Sequence, residues 1–270
     1  FKVVPASFLS EDGTQQGAVE GGPLFHLAVA DSNFDSNAEL LSSGGALIAG
    51  SDDTLLIGPP DLVRAVIPNH SSRVASVGLE LQASKTRCYT LPENRTNPEY
   101  LRLIEDFPAG SLSDGQAIYY GIGVYGVPFG DDDYVQASLR KKHVHITRDF
   151  TEIRETFDQS QYSAASVPSR FCLWSLTSSC FQRYGNYLCR HLNPSLTREF
   201  AQLLDSSVLS LVGTSTGLDL ESIRQHPFVF QRVRAPVRHR GMGISSLEEC
   251  RFAEFLGGVL QGLSLLLDYK

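Results

Sequence analysis

The residues GGALIAGSDDTLLIG, numbers 44–58, carry the clearest local pattern in this chain. They place two adjacent aspartates, Asp52 and Asp53, between two apolar runs of strand length, residues 46–49 and 54–57. Such runs on either side of a polar turn predict a β-hairpin. Neighbouring carboxylates repel each other and a turn needs only one Asp or Asn. The pair is therefore either a solvated loop tip or the ligand of a cation that lies between the two acids.

Length and composition predict a globular protein with a hydrophobic core. The chain has 270 residues, of which 42% are hydrophobic and 20% are charged, and this balance excludes wholesale disorder. The apolar stretch at residues 255–267 is interrupted by polar residues and glycines and is shorter than the roughly 20 residues of a membrane helix. We therefore expect no membrane partner. Because the chain opens with Phe1 rather than methionine, we expect it to be a piece of a longer or processed protein.

Charge is distributed unevenly along the chain. The net charge of −7 argues against a general nucleic-acid binder. Residues 224–240 nevertheless contain five arginines, two histidines and no acid, and a second basic run covers residues 140–148. Each run alone is typical of a solvated face, but two such runs in an acidic chain favour local contact with phosphates.

The first part of the chain has mixed helix and strand patterns. A helix is predicted from Pro23, because proline is tolerated in the first helical turn. A second helix is predicted within residues 59–78, and Pro68 is expected to break or kink it. Alternating apolar residues predict a strand in residues 79–91, and residues 91–116 are predicted to be a connector.

The later part is predicted to be helical. Residues 117–130 resemble a β segment with glycine bends. Across residues 135–157, apolar side chains recur at steps of three or four, which predicts one long amphipathic helix with His143 packed on its apolar stripe. We therefore divide the chain near Gly130. Further helical stretches are predicted around residues 171–187, 196–212 and 247–267.

Four segments follow one another at short intervals: GTQQG (13–17), GPLFHLAVA (22–30), GSDDTLLIG (50–58) and VGLELQASKTR (77–87). In this order they resemble the later half of the palm of reverse transcriptases of the non-LTR retrotransposon group. The first segment resembles motif B of that group, the Asp-Asp hairpin resembles motif C, and the last segment resembles motif D. The later segments VYGVPFGDDDYV, YGNYLCRHLNP and APVRHRGMGISSLEECRFAEFLGG resemble the primer-grip and thumb regions, so the resemblance covers nearly the whole chain.

The resemblance implies an α+β fold in two domains. Residues 1–130 are expected to form a partial polymerase palm, with helices on one face of the Asp-Asp hairpin, and residues 131–270 an all-helical thumb or connection region. The implied activity is RNA-directed DNA polymerase, a nucleotidyltransferase. Its implied partners are an RNA template, a DNA primer, deoxynucleoside triphosphates and the fingers and motif A segment of a parent protein.

The resemblance also implies roles for single residues. Asp52 and Asp53 are the implied catalytic acids and metal ligands for Mg²⁺, with Mn²⁺ as the alternative ion. Two-metal nucleotidyl transfer and the preference of magnesium for carboxylate oxygen agree with that assignment. Lys85 is implied to act near the leaving phosphate. Further implied contacts are Gln16 and Gly17 with template and nucleotide, and Arg238 and Arg240 with the nucleic-acid backbone.

Three departures from the family pattern support a second hypothesis. The family carries a further catalytic aspartate in motif A, which this chain begins too late to contain, so the chain is expected to be inactive alone. Gly50 stands where an aromatic residue is usual, and AVEG follows Gly17 where the family has an Asp-Pro-Leu-like continuation. The alternative is a catalytically inactive, domesticated relative that serves as a structural or RNA-binding subunit of a larger assembly.

Location follows from cysteine usage and from the resemblance. The five cysteines are odd in number and lack metal-ligand spacing, which favours reduced thiols in an intracellular protein. A retrotransposon enzyme implies the nucleus, and an organellar assembly fits the alternative hypothesis.

Overall fold

A computed structural model describes residues 21–50, 53–159 and 167–268. The chain has a mixed α+β fold that is mostly helical and contains two small antiparallel sheets, so the coarse fold class is confirmed. It forms two compact units, residues 1–110 and 111–270. No helix within the described ranges is long and apolar enough to cross a bilayer.

The first unit is a β-hairpin with helices before and after it. The helix predicted from Pro23 and the hairpin around the aspartates are both confirmed. Buried side chains from the three helices form the core of this unit: Val29, Leu40, Val66, Val74, Tyr100 and Leu103. Its elements are α1 (Gly21–Leu41), β1 (Ala46–Gly50), β2 (Asp53–Ile57), α2 (Pro60–Ser76) and α3 (Pro98–Asp106), with a 3₁₀ turn at Pro92–Asn94.

Helix α2 runs through Pro68 without a break. Pro68 lies on the exposed side, so the missing N–H removes one hydrogen bond without opening the packed side of the helix. The opposite side packs against α1 through Val66, His70 and Val74, which are four residues apart. The predicted break is therefore wrong, because tertiary packing outweighs the local effect of the proline.

The strand predicted in residues 79–91 is also wrong. Residues 82–86 form a turn in which Gln82 O accepts hydrogen bonds from the backbone N–H groups of Lys85 and Thr86, both at 3.0 Å. Gly78, with a φ of +82°, ends the preceding helix, and only Cys88 makes a bridge, to Ala109. The backbone groups of the turn are satisfied locally, so the alternating leucines have no ladder partner in the described residues.

The segment predicted as a connector contains regular structure as well. Helix α3 lies within it because Asn97 caps the helix, accepting a hydrogen bond from the backbone N–H of Glu99 at 2.8 Å, and Pro98 occupies the first turn. The Asn-Pro pair was the available signal in the sequence for this helix.

The second unit begins with an antiparallel sheet in the order β3-β4-β5. Its strands are β3 (Ser111–Ser113), β4 (Ile118–Val124) and β5 (Val127–Gly130). The sheet packs on the long helix that follows it, so the compact unit starts at residue 111, whereas the sequence placed the change of character near residue 130. The predicted β segment with glycine bends corresponds to the β4–β5 hairpin.

Helices make up the rest of the second unit. The long amphipathic helix is confirmed: Val135, Leu139, Ile146 and Phe150 of its stripe are buried, and His143 is half-buried beside Ser207 and Thr147. The helix predicted around residues 171–187 is divided by a 3₁₀ turn. The helices are α4 (Asp132–Gln159), α5 (Val167–Ser179), α6 (Asn186–His191), α7 (Pro194–Thr216), α8 (Leu220–Gln225), α9 (Pro227–Arg234) and α10 (Leu247–Asp268), with 3₁₀ turns at Phe181–Arg183 and Val237–His239.

Helix α7 lies at the centre of this unit. It packs against α4, α5 and α10 and supplies Phe200, Leu204, Val208 and Val212 to the core. Each of these side chains is at most 3% exposed, so α7 is the element on which the surrounding helices are assembled.

The β4–β5 hairpin gives a matched test of packing. Gly121 lies directly opposite Gly130, and a Cβ added at Gly121 would lie 2.2 Å from the ring of Tyr134, whereas a Cβ at Gly123 would meet nothing within 4 Å. We expect Gly121→Ala to lower the free energy of unfolding by about 1–3 kcal/mol through overpacking. Gly123→Ala, in the same strand, should change it by less than about 0.5 kcal/mol. Urea denaturation checks both, and equal effects would contradict this packing.

Candidate functional site

The adjacent acids lie at the tight end of the β1–β2 hairpin. Gly50 pairs with Asp53 across the ladder, and the connecting residues Ser51 and Asp52 lie outside the described residues. The Asp53 side chain is exposed, and it has no ion-pair or hydrogen-bond partner within the described part of the chain. Because Gly50 has no side chain, the position directly opposite this carboxylate is open.

Helix α1 holds the hairpin in place. The backbone N–H of Leu47 donates a hydrogen bond to Oδ1 of Asn37 at 2.9 Å, which satisfies one group on the outer edge of β1. Gly45 permits a close approach of the two hairpin ends, because a Cβ there would lie 2.6 Å from the carbonyl oxygen of Ile57. These contacts fix the hairpin at its open end, so Asp53 lies on a positioned element.

A polar network between α1 and α2 supports this arrangement. The buried hydroxyl of Ser36 lies 3.0 Å from Nδ1 of His70 and accepts a hydrogen bond from Nη1 of Arg73 at 2.9 Å. Arg73 also contacts the carboxylate of Glu39 at 2.9 Å, which in turn accepts a hydrogen bond from Asn69. Sequence reasoning missed this network, although the helical spacing of Asn69, His70 and Arg73 was a signal for it.

The network shifts the pKa values of two of its members. Burial, together with the positive charge of Arg73, lowers the pKa of His70 below its ordinary 6.5. Hydrogen bonds from Asn69 and Arg73 lower the pKa of the Glu39 carboxyl below 4.5. Near neutral pH the network therefore contains neutral His70 and a charged pair of Arg73 and Glu39.

Of the other predicted catalytic and nucleotide-binding residues, the structure describes Lys85. Lys85 is exposed in the turn that replaces the predicted strand, with its backbone N–H bonded to Gln82. Gln16, Gly17 and Asp52 lie outside the described residues. Within those residues, no three His, Cys, Asp or Glu side chains converge as a metal site.

Arg238 and Arg240 lie in the second unit, on an exposed turn that we call the basic tip, residues 235–243. The backbone N–H groups of His239, Arg240 and Gly241 are all satisfied within this turn. Arg240 has a φ of +60°, and Gly241 is required because a Cβ there would lie 2.0 Å from the carbonyl oxygen of Ala235. The side chains of both arginines are exposed. The basic tip therefore displays its cations from a fixed backbone.

The basic tip is fastened to helix α9 by a short backbone ladder. Met242 N–H donates to Arg232 O at 2.9 Å, Gly243 N–H to Ala235 O at 2.9 Å, and Ile244 N–H to Val233 O at 3.1 Å. Helix α9 and the tip consequently form one local substructure.

The two basic runs of the sequence differ in the structure. In residues 140–148, Arg140 pairs with Glu199, Arg148 contacts Asp149 and Glu152, and Lys142 donates to a backbone carbonyl. In residues 224–240, by contrast, neither Arg232 nor the tip arginines form an ion pair with any described acid. Arg232, Arg238 and Arg240 are thus exposed cations without an acidic partner in the described part of the chain.

A cleft of about 400 Å³ lies beside α7, lined by charged side chains that include Asp205, Arg224 and Arg234. Asp205 accepts hydrogen bonds from Ser246 Oγ and from the backbone N–H of Leu247. Arg224 donates to Ser206, and Arg234 lies 3.8 Å from Asp205. Asp205 and Arg234 thus pair within the cleft, whereas Arg224 forms no ion pair with any described acid.

The histidine network predicts a pH dependence of stability. The pKa of His70 is lower in the folded state than its unfolded value of 6.5, so the unfolded chain binds more protons below that value. The free energy of unfolding should therefore decrease as the pH falls from 7.5 to about 5. His70→Gln should remove this slope, whereas His26→Gln, on the exposed side of α1, should retain it. Urea titrations at several pH values measure both, and an unchanged slope in His70→Gln would contradict the assignment.

In comparisons with known proteins, the chain matches no protein-family model, no curated protein and no solved structure. Function is therefore inferred from two features of the chain itself. They are the adjacent acids on a helix-supported hairpin and the unpaired cations of the basic tip.

Proposed function

We propose that this chain is the later palm and thumb-like region of a reverse transcriptase of the non-LTR retrotransposon group. In this proposal, the whole protein performs RNA-templated DNA synthesis by two-metal nucleotidyl transfer. The observation that carries the proposal is the tight antiparallel hairpin, in which Asp53 is exposed beside Asp52 and opposite Gly50.

The order of elements supports the proposal. The resemblance needs a helix after the motif B segment, then a hairpin with acids at its turn, then a second helix. The first unit has α1, β1, β2 and α2 in that order, and Asn37 of α1 is bonded directly to β1. The bond from β1 to α1 ties the hairpin that carries Asp53 to a helix, and such support favours precise positioning of a metal ligand.

Asp53 and Asp52 are the residues that would hold Mg²⁺, or Mn²⁺ in its place. The exposed Asp53 carboxylate, free of partners among the described residues, fits an ion that takes one or two protein carboxylates and completes its shell with water and phosphate oxygens. When bound, such ions activate the primer hydroxyl and stabilise the leaving pyrophosphate. The chain's own part is to keep the two acids adjacent and accessible at the hairpin turn.

The remaining residues would act on the nucleic acid and the nucleotide. Gln16 and Gly17 would contact the templating base and the incoming deoxynucleoside triphosphate, where a residue without Cβ permits close approach. Lys85, an exposed cation in a turn, would act near the leaving phosphate. Arg238 and Arg240 would contact phosphates of the RNA template and DNA primer.

A second candidate function is that of a catalytically inactive relative, retained as a structural or RNA-binding subunit. One observation favours it: Gly50, directly opposite Asp53, removes the aromatic surface that supports a primer end in the family. In that case the basic tip would keep its role while the hairpin acids would not.

The two candidate functions imply different locations. A reverse transcriptase would act in the nucleus, together with the fingers and motif A segments, whereas a structural or RNA-binding subunit fits a nuclear or organellar assembly.

Substitution of the hairpin acids tests the catalytic proposal. In the full protein that contains this chain, Asp52→Asn and Asp53→Asn keep the side-chain shape and remove the charge. We expect each to lower the rate of RNA-templated primer extension by at least about a hundredfold, because stabilisation of the transition-state charge is lost. A primer-extension assay with Mg²⁺ and then Mn²⁺ measures this.

Asp35→Asn, an exposed acid on α1, serves as the control and should leave extension unchanged. Extension at the wild-type rate by both hairpin variants would contradict a catalytic role. An inactive wild-type protein that still binds RNA would instead favour the subunit function.

Substitution of the tip arginines tests the nucleic-acid contact. Arg238→Ala combined with Arg240→Ala should weaken RNA binding and reduce the slope of log K against log salt by roughly 1–2, since two phosphate contacts are removed. The matched control is Arg140→Ala with Arg148→Ala, which removes two cations that already have acidic partners. Fluorescence anisotropy across a salt series measures both, and equal losses in the two double variants would contradict a specific role for the tip.

A further inference from the structure

An exposed aromatic ring lies next to the unpaired cations. Phe228, in the first turn of α9, is 73% exposed, although burial is the usual fate of phenylalanine. The guanidinium of Arg232, one turn further along, lies over the ring, 5.9 Å from its centroid. A guanidinium beside an open aromatic face matches the two parts of a nucleotide, the base and the phosphate.

We propose that Phe228, Arg232 and the basic tip form a binding site for single-stranded nucleic acid, with an unpaired base stacked on Phe228. This inference rests on the proposed nucleic-acid contact of Arg238 and Arg240 and deepens it by naming the form of nucleic acid. Base stacking on exposed aromatic side chains, combined with nearby cations, is the general physical mode by which single strands are bound.

Backbone hydrogen bonds hold the residues of the proposed site in place before a ligand binds. Arg232 is linked to the basic tip through the hydrogen bond from Met242 N–H to its own carbonyl, and Gly241 packs against Ala235. Six helical positions separate Phe228 from Arg234 at the end of α9, a rise of about 9 Å. The stacking ring and the tip cations therefore belong to one substructure joined by backbone hydrogen bonds, so binding orders few backbone torsions.

The positive charge of this surface favours a polyanion as its ligand. Residues 224–240 contain no acid, and within the described part of the chain Arg232, Arg238 and Arg240 have no acidic partner. Arg238 contacts only the neighbouring His239, at 3.3 Å. A duplex keeps its bases stacked inside and an acidic peptide has no π face, so a single strand uses both the ring and the cations.

A second exposed phenylalanine provides a matched control. Phe252 on α10 is 60% exposed, with the guanidinium of Arg251 4.6 Å from the centroid of its ring. Its surroundings differ, because Arg251 is largely buried and contacts Glu248, and Glu249 and Glu254 lie on the same helix. Phe252 thus has the same kind of arginine contact as Phe228, but its arginine is paired with an acid.

The test uses the full chain with labelled 12-nucleotide oligo(U) and oligo(dT), a 12-base-pair RNA duplex, and a polyglutamate peptide of equal charge. Phe228→Leu should weaken binding of the single strands about tenfold without changing the salt slope, because it removes stacking and no charge. Phe228→Tyr should retain binding, and Phe252→Leu should bind as the wild type does. Circular dichroism of each variant verifies the fold.

Wild-type affinity in Phe228→Leu would overturn the stacking site, and so would an equal loss in Phe252→Leu. Wild-type binding of the duplex or of polyglutamate as tight as that of oligo(U) would also overturn it. If Phe228→Leu binds normally while Arg238→Ala with Arg240→Ala does not, the phosphate contact stands without the stacked base. If none of the nucleic acids binds to the wild-type chain, the nucleic-acid role of the tip fails together with this inference.

Discussion

The carboxylate of Asp205 is the contact on which the arrangement of the second unit depends. It projects from the central helix α7, accepts hydrogen bonds from Ser246 Oγ at 2.5 Å and Leu247 N–H at 2.8 Å, and lies 3.8 Å from Arg234. It thereby satisfies the free N–H groups at the start of α10 and neutralises the last cation of α9. Helices α9 and α10, which follow α7 in the chain, are both joined to it by this one mostly buried acid.

This contact also explains why the basic tip is presented outward. Arg234 is turned inward to Asp205, and its guanidinium also donates to the carbonyl of Ser245. The next arginines in the chain, Arg238 and Arg240, lie within the turn that Gly241 closes, and they form no ion pair with any described acid. One run of arginines therefore supplies both a cation that is paired with Asp205 and two exposed cations.

In the first unit the corresponding anchor is the polar network between α1 and α2. Ser36 and His70 are buried and hydrogen-bonded within it, and such mutual satisfaction is the condition under which buried polar groups stabilise a fold. The helix that it fixes is the one bonded to β1 through Asn37, so the network supports the hairpin acids indirectly. Repulsion between adjacent acids is tolerated most easily where the surrounding framework is stiff and the acids are accessible to a counter-ion.

The sequence by itself determined the features that depend on near neighbours. The hairpin around Asp53 and the apolar stripe of α4 follow from spacing over a few residues, and the excess of cations in residues 224–240 is a matter of composition. Tertiary structure alone decided which arginines are paired, since Arg140 meets Glu199 59 residues away. It also kept α2 continuous through Pro68 and joined Ser36 to His70, because packing and desolvation act between groups that are close in space and distant in the chain.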